Sequence, residues 1–337
     1  MSRSLTSLLG LLALASSVLA FSAPSATLAS DRLPASQSPA PALALTAKAT
    51  YNAVSLTWNS PSFLLDRLGA PLPGLTFSLT GTPGTLNASL APPAHSYSFS
   101  SLPGNLAYTF TLTALGLPDA SLPATTTIFV PALPTSRVIK GVTFYYQTHN
   151  LSCEETATAM ALTHQGLHIS QNQILARLGV DWTRAVLRSG YVVRWGDPDK
   201  AFVGNVNGSE NNYTGQQANP KALVRVLKSY HARILAWSEP HVTSHVITAA
   251  EIYHYVLLGH PVVAYATWDW KRHRIYYYTS EDGNRVPLIS PWDDHVYTIV
   301  GVTPTKVLIY DPIRGKYWVS KAAFQAGYEF GMAIVLQ

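Results

Sequence analysis

Between residues 41 and 131 the apolar positions alternate with polar ones over short segments. Alternation with a period of two puts successive side chains on opposite faces of a strand, so that one face can be buried. Pro, Gly and Asn separate the segments, and none of them has the spacing of an amphipathic helix. The pattern predicts an all-β sandwich with strands at residues 43–49, 53–58, 75–80, 96–99, 108–114 and 125–130.

After a proline-bearing linker at residues 132–137, helix start and stop signals occur for the first time. Ser170 and Thr248 are each followed three residues later by Gln or Glu, which is the spacing of a capping box. Beyond Pro261 the alternation typical of strands returns. Helices followed by an antiparallel sheet predict an α+β domain over residues 138–337. We expect helices from Cys153, Ser170, Asn219, Thr248 and Ser320, and strands at 262–267, 296–302, 307–310, 316–319 and 332–336.

The N-terminus fits neither pattern. An apolar run at residues 8–20 follows a short basic start and ends with the small residues of a secretory signal peptide, so we expect cleavage after Ala20. Neither this run nor any later segment reaches the roughly 20 residues of a membrane-spanning helix, and we expect no span in the mature chain. Residues 21–40, rich in Ser, Ala and Pro, are predicted to be a spacer. The expected localisation is secreted or extracytoplasmic, at the cell envelope.

Charge changes this picture little. The formal net charge is +5, and the dense basic run is Lys271 to Arg274. A solvated loop is a commoner explanation of such a run than a nucleic-acid patch, so we expect no nucleic-acid partner.

Cys153 is the only cysteine, so the chain has no disulfide framework. Its predicted place at a helix start favours the thiolate, which is the nucleophilic form. A buried, inert thiol is an equally common role for a lone cysteine. The partners available to Cys153 therefore decide between these two interpretations.

A thiol nucleophile needs an imidazole to take its proton and a carboxylate or amide to orient that imidazole. His295 opens one predicted strand and Asp311 closes the returning strand, so that both side chains should lie on one face of a hairpin. Either residue alone could be a turn or capping residue. Gln147, six residues before Cys153, could join the Cys153 backbone amide as a donor to an oxyanion.

The motifs around these residues are YYQ at 145–147, NLSCEETA at 150–157, DHVYTIVGV at 294–302 and YDPIRG at 310–315. They resemble the papain-like cysteine peptidase domain of the family related to double-glycine leader peptidases that process bacteriocins, in its free-standing secreted branch. The resemblance covers residues 138–337. It implies a papain-like α+β fold, with Cys153 as nucleophile, His295 as general base, Asp311 as its orienter and Gln147 in the oxyanion hole.

The N-terminal segments VSLTW, ending at Trp58, and LPGNLAY, ending at Tyr108, resemble a fibronectin type III domain. This resemblance covers residues 41–131 and implies a sandwich with a spacing or binding role. Trp58 and Tyr108 are expected in its core.

Two features separate this chain from the leader peptidases. Glu154 and Glu155 follow the cysteine where those enzymes commonly have Gly and Pro, and two carboxylates tend to raise the pKa of a neighbouring thiol. No phosphate-binding loop is present, so the transporter-coupled role of that family does not carry over. We expect a secreted cysteine peptidase that cleaves a peptide or protein substrate, which could come from the cell envelope, and that needs no cofactor or metal.

Two alternatives remain. A metal hydrolase would use His164 with His168, or His241 with His245, but neither pair has the Glu of a zincin motif. A catalytically inactive, peptidase-fold binding protein at the cell surface would use its aromatic side chains instead of the thiol. Its proposed binding surface consists of Trp268, Trp270, Tyr276, Tyr277 and Tyr278.

Overall fold

The computed structural model describes residues 43–59, 64–116, 123–289 and 294–337. The predicted signal peptide at residues 1–20 and the spacer at residues 21–40 lie outside the described residues. Within these ranges, the helices are too short or too polar to cross a membrane.

The alternating N-terminal segments form two antiparallel sheets, which confirms the predicted sandwich. In the part of the chain that is described, one sheet has three strands in the order β1-β2-β5 and the other has four in the order β4-β3-β6-β7. Prediction missed β4, whose side chains are at most half-buried. The strands are β1 (Leu45–Thr50), β2 (Ala53–Trp58), β3 (Thr76–Thr82), β4 (Leu86–Leu90), β5 (Ser96–Phe99), β6 (Leu106–Leu115) and β7 (Ala124–Val130).

The sandwich core contains the two aromatic residues expected there. The Trp58 side chain is buried against Phe77, with ring centroids 5.7 Å apart. Tyr108 is also buried, and its hydroxyl donates a hydrogen bond to the Pro103 carbonyl at 3.0 Å. This bond fixes the chain segment that enters β6, which is the role of a tyrosine corner.

The C-terminal part has a separate apolar core that runs from Ile139 to Leu336. Its helices are α1 (Cys153–Thr163), α2 (Gln171–Leu178), α3 (Pro220–Ser229), α4 (Ala249–Leu258) and α5 (Lys321–Gly327). Its strands are β8 (Arg137–Val138), β9 (Val180–Asp181), β10 (Val186–Arg188), β11 (Tyr191–Trp195), β12 (Phe202–Val203), β13 (Ile234–Ser238), β14 (Val262–Thr267), β15 (Ile275–Ser280), β16 (Arg285–Ile289), β17 (Asp294–Val302), β18 (Lys306–Asp311), β19 (Gly315–Ser320) and β20 (Ala333–Leu336).

The predicted helix signals are confirmed. Ser170 and Thr248 form complete capping boxes at the starts of α2 and α4. Pro220 is the first residue of α3, where its missing N–H costs no hydrogen bond. Helix α1 differs from the others because every residue from Glu154 to Thr163 is buried. It therefore lies inside the domain, packed on β17, β14 and α2.

In the described residues the central sheet has seven strands, in the order β13-β20-β14-β17-β18-β19 with β8 paired to β17. Strand β8 was missed, and it begins at Arg137, the last residue of the predicted linker. A second sheet of four strands, β10-β11-β15-β16, was also missed. It covers a small core of its own, which contains Val192, Trp195, Val203, Tyr278, Val286 and Leu288.

Candidate active site

Cys153 is the first residue of α1, as predicted, and its side chain is half-buried. Its Sγ donates a hydrogen bond to Glu154 Oε2 at 3.1 Å. Burial raises the pKa of the thiol well above its ordinary value, and the charge and hydrogen bond of Glu154 raise it further. The helix start therefore does not by itself produce a thiolate here.

Glu154 and Glu155 are both fully buried. Glu154 Oε1 accepts a hydrogen bond from the Ala218 amide at 2.7 Å, whereas both oxygens of Glu155 lack a hydrogen-bond partner in the structure. Burial raises the pKa of Glu154 to about 7 and raises that of Glu155 well above its ordinary value, with the Glu154 charge adding to the latter. Both carboxyl groups therefore keep a proton to a higher pH than an exposed glutamate does.

His295 and Asp311 are brought together as predicted. His295 Nε2 and Asp311 Oδ1 are 2.9 Å apart, and both side chains are almost completely buried. Burial lowers the pKa of His295 despite the opposing effect of Asp311. Because the carboxylate carries no proton, Nε2 is the donor, and the neutral ring then has an unprotonated Nδ1 that can accept one.

A β-bulge between Ile299 and Gly301 allows this contact. Near the turn, Val302 pairs with Val307, and continuing that register would put Asp311 opposite Thr298, on the face away from His295. The bulge shifts the register by one residue, so that Thr298 pairs with Tyr310 instead. Asp311 and His295 then share one face of the hairpin, as predicted, and lie there as diagonal neighbours.

Asp311 is held by further donors. Its Oδ1 accepts from the backbone amides of Ile313 at 2.8 Å and Arg314 at 3.1 Å. Its Oδ2 accepts from Arg314 Nε at 3.0 Å and from the Tyr317 hydroxyl at 2.8 Å. Burial opposes ionisation, but His295 and the two amides outweigh it and hold the pKa of Asp311 below its ordinary value. The carboxylate is a fixed, charged partner for the imidazole.

Trp268 and Arg314 cover the His295–Asp311 pair, and this role was not predicted. The Trp268 ring meets the His295 ring edge-on with centroids 4.9 Å apart. The Arg314 guanidinium lies 3.6 Å from the centroid of the Trp268 ring and donates to the Trp268 carbonyl. Arg314 stands in the YDPIRG motif three residues after Asp311, which is the one sequence signal that could have indicated it.

Helix α1 is joined directly to the strand that carries His295. The Thr298 hydroxyl donates to the Ala157 carbonyl, one turn after Cys153, at 2.7 Å. The charge of Cys153 contributes to the raised pKa of Tyr297, whose ring centroid lies 4.6 Å from that of His295. Among the described residues, however, the hydrogen bond of Sγ goes to Glu154 and not to His295.

Gln147 lies in the loop before α1, but its side chain is occupied. Nε2 donates to the carbonyls of His149 at 2.8 Å and Asn150 at 2.9 Å, so both of its N–H groups are used within the loop. The role of Gln147 as an oxyanion donor stays a prediction, and it requires these bonds to be exchanged. Gln171, which was not predicted, fixes the same loop because its Oε1 accepts from Thr148, Ser152 and Thr156.

The residues proposed for a metal hydrolase site and for an aromatic binding surface do not come together in the structure. No cluster of three metal-ligating side chains occurs in the described part of the chain. His164 and His168 follow the end of α1, and His241 and His245 lie in a turn, so neither pair of this alternative lies on a helix. The five aromatic residues do not form one exposed surface either, because Tyr278 is buried in the small core. Trp270 packs on Tyr297.

A protein-family model described as the Peptidase_C39 like family matches residues 139–330. A solved structure from Bacillus anthracis, provisionally described as a C39-like peptidase, is 21% identical over 59% of this chain and 96% of that chain, with a TM-score of 0.48.

Two solved human domains are also similar to part of the chain. The fibronectin type III domain derived from KIAA0970 protein is 14% identical over 27% of this chain and 74% of that chain, with a TM-score of 0.23. The fn3 domain of the collagen alpha-1(XX) chain is 18% identical over 30% of this chain and 91% of that chain, with a TM-score of 0.22. No curated protein matches the sequence.

Proposed function

Because the chain belongs to the Peptidase_C39 like family, we propose that it hydrolyses an amide bond in a peptide or protein substrate, with Cys153 as the nucleophile. The observation that carries this proposal is the buried His295–Asp311 hydrogen bond of 2.9 Å. His295 lies on β17, the strand that packs against the helix of Cys153. Burying an imidazole with a carboxylate is costly unless the pair is bonded, and it is typical of catalytic sites.

In the proposed reaction, His295 Nδ1 takes the thiol proton as Sγ attacks the substrate carbonyl carbon. The resulting imidazolium gives this proton to the leaving amine nitrogen as the C–N bond breaks, which leaves a thioester on Cys153. Water, deprotonated by His295, then attacks the thioester carbon. As the C–S bond breaks, the imidazolium returns this proton to the sulfur, which releases the acid and restores the free thiol. Asp311 holds the imidazole in the required tautomer throughout, and Arg314 and Tyr317 hold Asp311.

The sandwich over residues 41–131 is, in this proposal, a fibronectin type III-like domain that positions the peptidase domain of residues 138–337. Its support is the strand order of the two sheets together with the Tyr108 hydrogen bond to Pro103. Export through the N-terminal signal and action at the cell envelope complete the proposal.

One observation favours a second candidate, an inactive peptidase-fold binding protein. The thiol donates to Glu154 and its pKa is raised, whereas an activated cysteine has a lowered pKa. Such a protein would keep the fold and would have no use for a reactive Cys153.

Trapping an acyl-enzyme distinguishes the two candidates. The protein is mixed with p-nitrophenyl acetate, and its intact mass is followed beside Cys153→Ser and His295→Ala. We expect a burst of nitrophenol and one acetyl group on Cys153 in the parent, greatly slowed in His295→Ala. Digests of a peptide library by the parent and by both variants then report which bonds are cleaved. Equal acylation rates in parent and His295→Ala, without any library cleavage, would establish the binding protein.

A further inference from the structure

The thiol of Cys153 donates a hydrogen bond to a carboxylate whose other oxygen is also hydrogen-bonded. Glu154 Oε2 accepts from Sγ at 3.1 Å, and Oε1 accepts from the Ala218 amide at 2.7 Å. The Ala218 carbonyl accepts in turn from the buried Tyr265 hydroxyl at 2.6 Å. The Glu154 side chain is thus anchored to the segment before α3, and that segment is anchored to β14. Each oxygen of the carboxylate has its own donor, so the contact with sulfur is a built feature of the site.

The groups around the sulfur oppose a negative charge on it. Three carboxylates act on it: Glu154 and Glu155 on α1, and Glu210 outside that helix. The negative charge of each raises the pKa of the thiol. Of the neighbouring strands, β14 carries Tyr265 and β17 carries Tyr297, and the charge of Cys153 contributes to the raised pKa of each hydroxyl. A buried thiolate in this setting would meet like charges and no fixed cation on its own helix.

We infer that Glu154 is a positioning residue that holds the sulfur of the free protein as a neutral thiol, through the hydrogen bond from Sγ to Oε2. The inference rests on Cys153 being the nucleophile proposed above. The resting pair is then a neutral thiol and a neutral imidazole. Proton transfer from Sγ to His295 Nδ1 accompanies the attack on the substrate. For this transfer, Sγ must first break its hydrogen bond to Glu154.

Replacing the carboxylate by an amide of the same shape tests this directly. In Glu154→Gln the amide oxygen can still accept from Ala218, but the side chain loses its charge and presents an N–H to sulfur. We expect the thiol of this variant to titrate about one pH unit or more below that of the parent, so that iodoacetamide labels it about tenfold faster near neutral pH. Glu155→Gln is the matched control and should change the labelling profile much less than Glu154→Gln, because Glu155 makes no hydrogen bond to the thiol and its charge has the smallest effect of the three carboxylates on the thiol pKa.

A second measurement keeps the inference testable if the variant folds poorly. Cys153 is the only cysteine, so the thiolate absorbance of the parent, with Cys153→Ser as the blank, reports this sulfur alone. We expect no thiolate in the parent near neutral pH. A thiolate there, or superimposable labelling profiles for the parent and Glu154→Gln, would overturn the inference. Both readouts are independent of substrate, so they separate this inference from hydrolysis, whose failure would instead appear as equal cleavage by the parent and Cys153→Ala.

Discussion

The sandwich and the C-terminal part of the chain differ in what their cores contain. The described sandwich core is built from apolar and aromatic side chains such as Leu56, Phe77 and Phe110. In the described residues, all the buried polar and charged side chains lie in the C-terminal part, from Ser152 to Asp311. Strand alternation alone is enough to specify the sandwich. Buried charges cost free energy of folding, so their concentration in one region makes that region the candidate for the proposed chemistry.

The largest expected effect comes from removing the best-bonded of these charges. Asp311→Asn takes away the carboxylate that fixes the tautomer of His295, and we expect acylation of Cys153 to slow by about 10³ to 10⁴-fold, as for orienting carboxylates in other triads. It should also destabilise the C-terminal part by about 1 to 3 kcal/mol, because Arg314 and Tyr317 lose a charged acceptor while the Arg314 side chain keeps partial access to solvent. The burst with p-nitrophenyl acetate and calorimetry measure the two effects.

Asp197 provides a matched control for that variant. Its side chain is also buried, and Oδ2 accepts from Asn284 at 2.9 Å, away from His295. Asp197→Asn should lower stability but leave the acylation rate of the folded protein unchanged. An equal loss of rate in both variants would mean that Asp311 acts only through stability, and the comparison between a structural and a chemical buried charge would fail.

The next effect is a difference in pH dependence between the two cores. Burial and the neighbouring Asp199 raise the pKa of Glu239 to about 9, and burial raises that of Glu154 to about 7. The folded C-terminal part therefore binds protons that the unfolded chain has already lost. Its stability falls as the pH rises from the ordinary pKa of a glutamate up to these raised values. His295 acts in the opposite sense only around its ordinary pKa of roughly 6.5 and below.

Calorimetry of the full chain between about pH 7 and pH 9 measures this difference. For each retained proton the free energy of unfolding of the C-terminal part should fall by about 1.4 kcal/mol per pH unit, whereas the sandwich transition should stay constant. Glu239→Gln should flatten the slope. A sandwich transition that moves with pH as much as the other would contradict the comparison.

The same contrast explains how much could be predicted from the sequence. The sandwich and the starts of α1 to α4 were predicted because alternation and capping are local signals, carried for example by Ser170 and Thr248. Strand β13 was missed because its pairing partner β20 is distant in the chain. Strands β15 and β16 form a local hairpin with each other and were missed because their tyrosines were interpreted as an aromatic surface. The His295–Asp311 pair was predicted, but the bulge at Ile299 and Gly301 that aligns it has no signature in a single sequence.

Side-chain direction was the least predictable property of the site. Gln147 was chosen for its amide, and the structure turns that amide toward two loop carbonyls. Trp268 was assigned to an exposed aromatic surface, and it instead contacts His295 and Arg314. These outcomes depend on contacts between segments far apart in the chain, and residue type alone does not determine them.

A smaller effect is expected from Glu155, which is buried and has no hydrogen-bond partner for either oxygen among the residues that the structure describes. A side chain of this kind costs about 1 to 3 kcal/mol, so Glu155→Met, which is similar in size and apolar, should stabilise the C-terminal part by about that amount. Denaturant unfolding measures the gain, and Glu155→Gln, which stays polar, should recover little of it. A loss of stability in Glu155→Met would show that the carboxyl makes an interaction that its burial conceals.

The smallest expected effect lies in the sandwich, at the Tyr108 hydroxyl. Tyr108→Phe removes the hydrogen bond to the Pro103 carbonyl and keeps the ring, which stacks on Phe110 with centroids 6.1 Å apart. We expect a loss of about 1 kcal/mol in the sandwich transition, equal across neutral pH because no Asp, Glu, His, Lys or Arg side chain is buried in the described sandwich core. Acylation of Cys153 should be unchanged, since the hydroxyl belongs to a core separate from the active site. A variant that lost acylation along with the sandwich transition would show that the two cores are coupled, so that the sandwich contributes to the conformation of the site.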